Sequence, residues 1–157
     1  GRPRVMVAGS SSATDSIAVH SRKDPLFLSA AYESARRAYA MAGVAPGDID
    51  VFELHDAFSI MAALSLEACG FAERGRGVQL GLDNEIHPGG RVPVCTRGGL
   101  KARGHPVGAT GVRQVVDAYQ QLTNQGGAHQ IPGAKKFLTF NMGGSLTTSV
   151  AMIWGVE

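Results

Sequence analysis

Cysteine is nearly missing from this sequence: Cys69 and Cys95 are the only two among 157 residues. Two thiols make no disulfide framework, and this pair forms no CxxC metal motif. Long apolar runs are missing too. None reaches bilayer-spanning length, and the first residues carry no signal-peptide pattern. Charge of one sign is equally scarce. The formal net charge is +2, with no Lys/Arg cluster, which argues against nucleic acid as a partner. No internal repeat or low-complexity tract is visible. The expectation is a cytoplasmic globule, with residues 1–157 as one domain. A chain of that length buries about two-thirds of its unfolded surface.

What the sequence has is glycine, 21 residues of it. From Gly98 to Gly111, five glycines and a proline fall within fourteen residues, Gly-Gly-Leu-Lys-Ala-Arg-Gly-His-Pro-Val-Gly-Ala-Thr-Gly. Such a stretch is a loop that turns sharply and lets backbone approach backbone or ligand closely. His105 closes it. Pro106 suits a first helical position, and an amphipathic run follows through Val107, Val112, Val115, Val116, Tyr119 and Leu122. A helix N-terminus disfavours imidazolium, leaving His105 neutral and fit for acid–base chemistry. The run has apolar residues on more than one narrow stripe, so the helix is expected to be buried. A lone domain would leave it as an apolar patch.

The remaining elements follow in order. Arg4 to Ala8 is a strand closed by Gly9, and Asp24-Pro25 opens a helix to about Met41, stopped by Gly43. Ile49 to Leu54 is the second strand. A helix from Asp56, suited to capping, runs to Cys69. Cys69 shares a face with Phe58, Ala62 and Ser65 and reads as core. Phe71 to Gly90 is a polar, glycine-rich excursion; Arg74 and Arg76 read as solvated charges, with an anionic ligand the alternative. Val92 to Val94 is at most a short strand, and Cys95 reads as a small buried residue that could instead face the site. Asn124 to Gly133 is a loop. Lys136 to Phe140 and Thr147 to Trp154 are paired strands.

Two further candidates lie at strand ends. His55 stands between a strand C-terminus and a helix, where ligands gather in open α/β sheets. A packed turn residue is the competing reading. Asn141-Met-Gly-Gly offers backbone N–H groups suited to an oxyanion hole, although a plain hairpin turn has the same pattern. His87, Cys95 and His105 have no recognisable ligand spacing, so no metal is expected.

Gly99 to Gly111 closely resembles the signature loop of thiolases, in the branch of archaeal acetyl-CoA acetyltransferases and sterol-carrier-protein thiolases. Three more blocks follow the family order: Glu53-Leu-His-Asp-Ala-Phe58, Gly90-Arg-Val-Pro-Val94 and Asn141-Met-Gly-Gly144. The likeness covers almost the whole chain but only the C-terminal half of a thiolase. The fold implied is α/β, a mixed five-stranded sheet with helices on both faces in the order β-α-β-α-β-α-β-β.

The resemblance implies a CoA-dependent acyltransferase with a coenzyme A thioester as substrate and no covalently bound cofactor. The acyl-bearing cysteine belongs to the N-terminal half, which is absent from residues 1–157. His105 would activate that cysteine and donate to a thioester oxygen. His55, where many members have asparagine, would polarise or position the oxygen or its water. The N–H of Gly143 would serve a second oxyanion hole, while Gly98, Gly99, Asn141 and Gly144 would bind substrate. Asn141 stands where biosynthetic and degradative thiolases have a second cysteine. Ala57 stands where the sterol-carrier branch has one. Both usual acid–base thiols are therefore missing. This leaves room for a thiolase-fold aldolase or lyase, or a non-catalytic assembly subunit. Implied partners are a thiolase N-terminal half, on the same or another chain, further copies in a homo- or hetero-oligomer, and a small zinc-ribbon/OB-fold protein.

Overall fold

The computed structural model describes residues 3–157. Their strands are β1 (Val5–Thr14), β2 (Val51–Glu53), β3 (Lys136–Gly143) and β4 (Thr148–Val156). The helices are α1 (Ser29–Ala42), α2 (Ser59–Ala68), α3 (Gly77–Leu82), α4 (Gly99–Arg103) and α5 (Thr110–Leu122). One mixed sheet has the order β1-β4-β3-β2. β4 runs antiparallel to both β1 and β3, whereas β2 runs parallel to β3.

The sheet thus has four strands, not the five expected. Val94 makes one isolated parallel bridge to Phe52 and goes no further. Phe52 N–H donates to the Pro93 carbonyl (2.9 Å), and Cys95 N–H donates to the Phe52 carbonyl (3.0 Å). Pro93 has no N–H to extend a ladder. Cys95 then turns into the left-handed region at φ 47°, which ends the extended backbone. The expected element order changes for a second reason. α3 forms inside the Phe71–Gly90 excursion, and α4 inside the glycine loop, so four helices separate β2 from β3.

Helices cover both faces, as the pattern implies. α1 packs on β1 and β4, with Ala31, Ala35 and Ala38 fully buried against the sheet. That core holds Phe52, Leu54, Leu138, Phe140, Ala151 and Ile153. Alternate residues serve the opposite face, where Val51 and Phe137 meet Ala118 and Leu122 of α5. β1 outruns its expected end at Ala8 because Ser10, Ser11 and Ser12 pair with Met152, Ala151 and Val150.

Three helix starts move inward. Asp24 accepts the Leu26 N–H in a turn (2.9 Å) and does not cap α1. α2 begins at Ser59, because Asp56 caps elsewhere. α5 begins at Thr110, not at Pro106. Pro106 instead accepts Ala109 and Thr110 N–H groups in the turn before it (2.8 and 3.0 Å). His105 is therefore five residues ahead of the helix, beyond the reach of its first turn.

Much of the apolar surface of α5 is left open, the patch expected of a lone domain, while its inward face is more polar than the apolar run suggests. Its inward face carries Gln114, Asp117, Ala118, Gln121 and Leu122. Val112, Val116 and Tyr119 are exposed. Inward glutamines are affordable because their amides replace loop and strand-end partners. Gln114 donates to the Phe140 carbonyl (3.0 Å), and Gln121 both donates to His129 O (2.6 Å) and accepts from Ile131 N (2.8 Å).

Candidate active site

β2 and β3 are parallel neighbours, so the residues after Glu53 and those near Gly143 emerge at the same end of the sheet. The α4–α5 connection folds over that end. Its anchor is Asp56, whose carboxylate accepts the Leu100 N–H (2.7 Å) at the start of α4. Gly99 makes this possible. It sits at φ 59°, and a β-carbon there would come within 2.4 Å of the Asp56 carboxylate. The expected cap of α2 is thus the clamp on the glycine loop.

A second clamp is ionic and lies deeper. Arg103 donates to Glu53 Oε1 (2.5 Å) and to Asp117 Oδ2 (2.6 Å), joining α4, β2 and α5. Arg113 adds a contact to Asp117 (3.1 Å). Glu53 is fully buried, and burial pushes its pKa up to about 8 against the pull of Arg103. No sequence motif announces this network, although an acid in a strand interior and an arginine in a glycine loop were its available signals. Glu53 and Arg103 each stand two residues before a candidate histidine.

Those histidines meet. The rings of His55 and His105 are 4.9 Å apart, edge to face at 89°. His55 is buried, and His105 is exposed on the open side. Nδ1 of His55 lies 2.5 Å from Asn141 Oδ1. The same oxygen accepts the Met142 N–H (3.0 Å), which fixes the amide orientation and makes His55 Nδ1 the donor. Burial lowers the His55 pKa, with the Asn141 bond opposing and His105 assisting. Nδ1 of His105 lies 2.6 Å from the Thr110 hydroxyl, which also reaches the Pro106 carbonyl (3.3 Å). A hydroxyl can donate or accept, so His105 can take either tautomer.

A cleft of about 960 Å³ opens beside the pair, lined by His55, His105, Asn141, Gly143, Gly144 and Ala57 among others. Its floor is the α5 face of the sheet, including Thr139, Val150 and Met152, and one wall carries Val107 and Val112. Strand pairing continues to Gly143, opposite Thr148, so the expected turn begins only at Gly144 (φ 60°). Gly98 and Gly99 are not among the residues lining the cleft, whereas Leu100 and Lys101, which follow them, are. Cys95 is also outside it. Its thiol is directed at the Leu54 carbonyl (3.6 Å), and burial raises its pKa well above the ordinary thiol range. Cys69 is buried in the α1 core, as read. Among the described residues no His/Cys/Asp/Glu group is arranged to hold a metal ion. Arg74 pairs with Asp24 at the surface, away from the cleft.

Residues 11–156 match the family model described as "Thiolase C-terminal domain-like". The chain belongs to that family. Over 150 residues it is 42% identical to the acetyl-CoA acetyltransferase of Methanothermobacter thermautotrophicus, covering 96% of this chain and 39% of that protein. Human sterol carrier protein 2 is 42% identical over 111 residues, 71% of this chain and 20% of its own. The chain therefore spans about two-fifths of one relative's length and a fifth of the other's. A solved structure titled "Ltp2-ChsH2(DUF35) aldolase" superposes with a TM-score of 0.89 at 21% identity, over 99% of this chain and 40% of that one. A monomeric SCP2-thiolase like protein from Mycobacterium smegmatis gives 0.70 at 18%, over 98% and 29%. These two structures share the fold.

Proposed function

We propose that this domain, residues 1–157, is the C-terminal half of a cytoplasmic thiolase-like acyltransferase of lipid metabolism acting on coenzyme A thioesters. The observation that supports it most is the contact between His55 and His105 on one cleft beside Gly143, within a chain of the thiolase family. An N-terminal thiolase half, on the same or another chain, supplies the acyl-bearing cysteine. His105 takes the cysteine proton and returns it to the leaving group, a role suited to its switchable tautomer. His55 and His105 supply the oxyanion and acid–base groups, and the Gly143 N–H serves the second oxyanion hole. Asn141 and Gly144 line the substrate end of the cleft.

The exposed valines of α5 and the cleft floor form one apolar surface, which the N-terminal half would cover. Complete assemblies of this type then form oligomers, and a zinc-ribbon/OB-fold protein is a further partner of the same reading. A second reading, a carbon–carbon lyase on acyl-CoA thioesters, is favoured by one observation. Among the described residues no thiol lines the cleft, where Ala57 and Asn141 occupy the positions expected to carry one. The fold neighbour titled an aldolase is consistent with it.

The test is acyl-CoA turnover by this chain, alone and mixed with a cysteine-bearing thiolase half. Activity only in the mixture, lost with His105→Ala, supports the proposal. Turnover by the chain alone, insensitive to His105→Ala, overturns it.

A further inference from the structure

The missing thiols leave one step without an agent: removal of a proton from the α-carbon of an acyl donor. The cleft contains a group arranged for it. Asn141 Oδ1 is anchored by the Met142 N–H and can only accept, so it holds the proton of His55 on Nδ1. The neutral ring then carries its lone pair on Nε2. That nitrogen has no hydrogen-bond partner among the described residues, and the ring lines the cleft. His105 differs, because the Thr110 hydroxyl serves either tautomer. One histidine is locked as an acceptor and the other is free to switch.

We propose that Nε2 of His55 is the general base that removes the α-proton of the acyl donor, with Asn141 as the positioning residue that fixes its tautomer. The assignment rests on the acyl-transfer reading above. The Nε2 lone pair forms a bond to the proton, and the electrons of the C–H bond move into the thioester carbonyl to give an enolate. The enolate carbon then forms a carbon–carbon bond with the acyl carbon held on the cysteine, and the cysteine sulfur leaves as thiolate. The proton carried by His55 is the one that neutralises that thiolate, passed through His105 or water. No oxidant, reductant or metal is needed. Burial of His55 keeps the ring neutral near pH 7, as a base must be.

Two measurements test this. In the chain carrying ¹⁵N-labelled histidine, His55 should show a protonated Nδ1 and an unprotonated Nε2, and Asn141→Leu should mix the tautomers. A protonated Nε2 in the unaltered chain overturns the proposal. In the assembly with the cysteine-bearing half, acetyl-CoA in D₂O gives two readouts, CoA release on acylation and deuterium uptake at the methyl carbon. His55→Asn should lower deuterium uptake by about a hundredfold or more while CoA release falls less than tenfold. Uptake unchanged in His55→Asn overturns the base assignment, as does absence of uptake in the unaltered assembly. Uptake without CoA release overturns the acyl-transfer reading and leaves the base assignment standing. Should His55→Asn fail to fold, Asn141→Asp serves instead. It keeps an acceptor on Nδ1–H and adds charge, so the acid limb of the uptake profile should move to higher pH. An unmoved limb overturns the role given to Asn141.

Discussion

Gly111 sits against Asn141: a β-carbon there would come within 2.8 Å of the Asn141 Nδ2. The obstructing atom is the end of a side chain, so the amide moves and the backbone does not. Gly111→Ala is therefore expected to change thermal stability little, a helix gain of up to about 1 kcal/mol offset by about 1 kcal/mol from the disturbed hydrogen bond. It should nevertheless disturb the His55–Asn141 bond and mix the His55 tautomers, read from histidine ¹⁵N shifts. A normal His55 signal in a stable variant would show that Asn141 has room to spare. His55 also has a pH signature. Its pKa is lowered in the fold, so its contribution to stability is complete above the unfolded histidine value of about 6.5. That contribution is lost as pH falls through the lower folded value. Denaturation midpoints of the unaltered chain and His55→Asn should thus converge on acidification below about pH 6.5. Midpoints that stay parallel would mean that burial does not disfavour the charged ring.

Among the elements, α4 depends on charge more than on its five residues. Arg103 is its tie to β2 and α5, and removing it takes the guanidinium from buried Glu53, while Asp117 keeps Arg113. Arg103→Met should cost about 1–3 kcal/mol, the usual cost of leaving a buried polar group without its partner. Adding Glu53→Gln should recover part of that loss, measured as a coupling in a double-mutant cycle. Strict additivity would show that the two side chains do not interact. The sequence disclosed unequal amounts of this architecture. The strands were legible as short apolar runs ending at glycine or polar residues, and α1 as a run whose Ala31, Ala35 and Ala38 meet the sheet. The two histidines were legible because glycines and strand ends mark where backbone must turn. The apolar patch on α5 was legible from its wide apolar face, but its inward Gln114 and Gln121 were not, because their partners lie on distant strands and loops. Asp56 misled because its partner, Leu100, is 44 residues away. The four-strand count turned on Pro93 and the backbone of Cys95, whose left-handed φ no local pattern announces.

At the scale of the molecule, the exposed stripe of Val107, Val112, Val116 and Tyr119 borders the cleft, with Phe58 and Ile60 also exposed nearby in sequence to His55. Val112→Asp is expected to change the stability of the isolated domain by about 0.5 kcal/mol or less, as exposed positions do. It should abolish association with a thiolase N-terminal half. Sedimentation with and without that half checks both, and a Val112→Asp domain that still associates would assign the stripe another purpose. The sheet itself has a consequence for synthesis on the ribosome. Among the described residues β1 pairs only with β4, Val5 opposite Val156 and Thr14 opposite Thr148. Within this domain β1 therefore waits for β4, and loop closure over such a span makes folding slow. Until β4 is made, β1 lacks its partner strand in this domain, and the alanine face of α1 has no complete sheet to rest on. A nascent chain halted before Thr148 should be cut readily within β1 by protease, and protection should arrive in one step once β4 clears the exit tunnel.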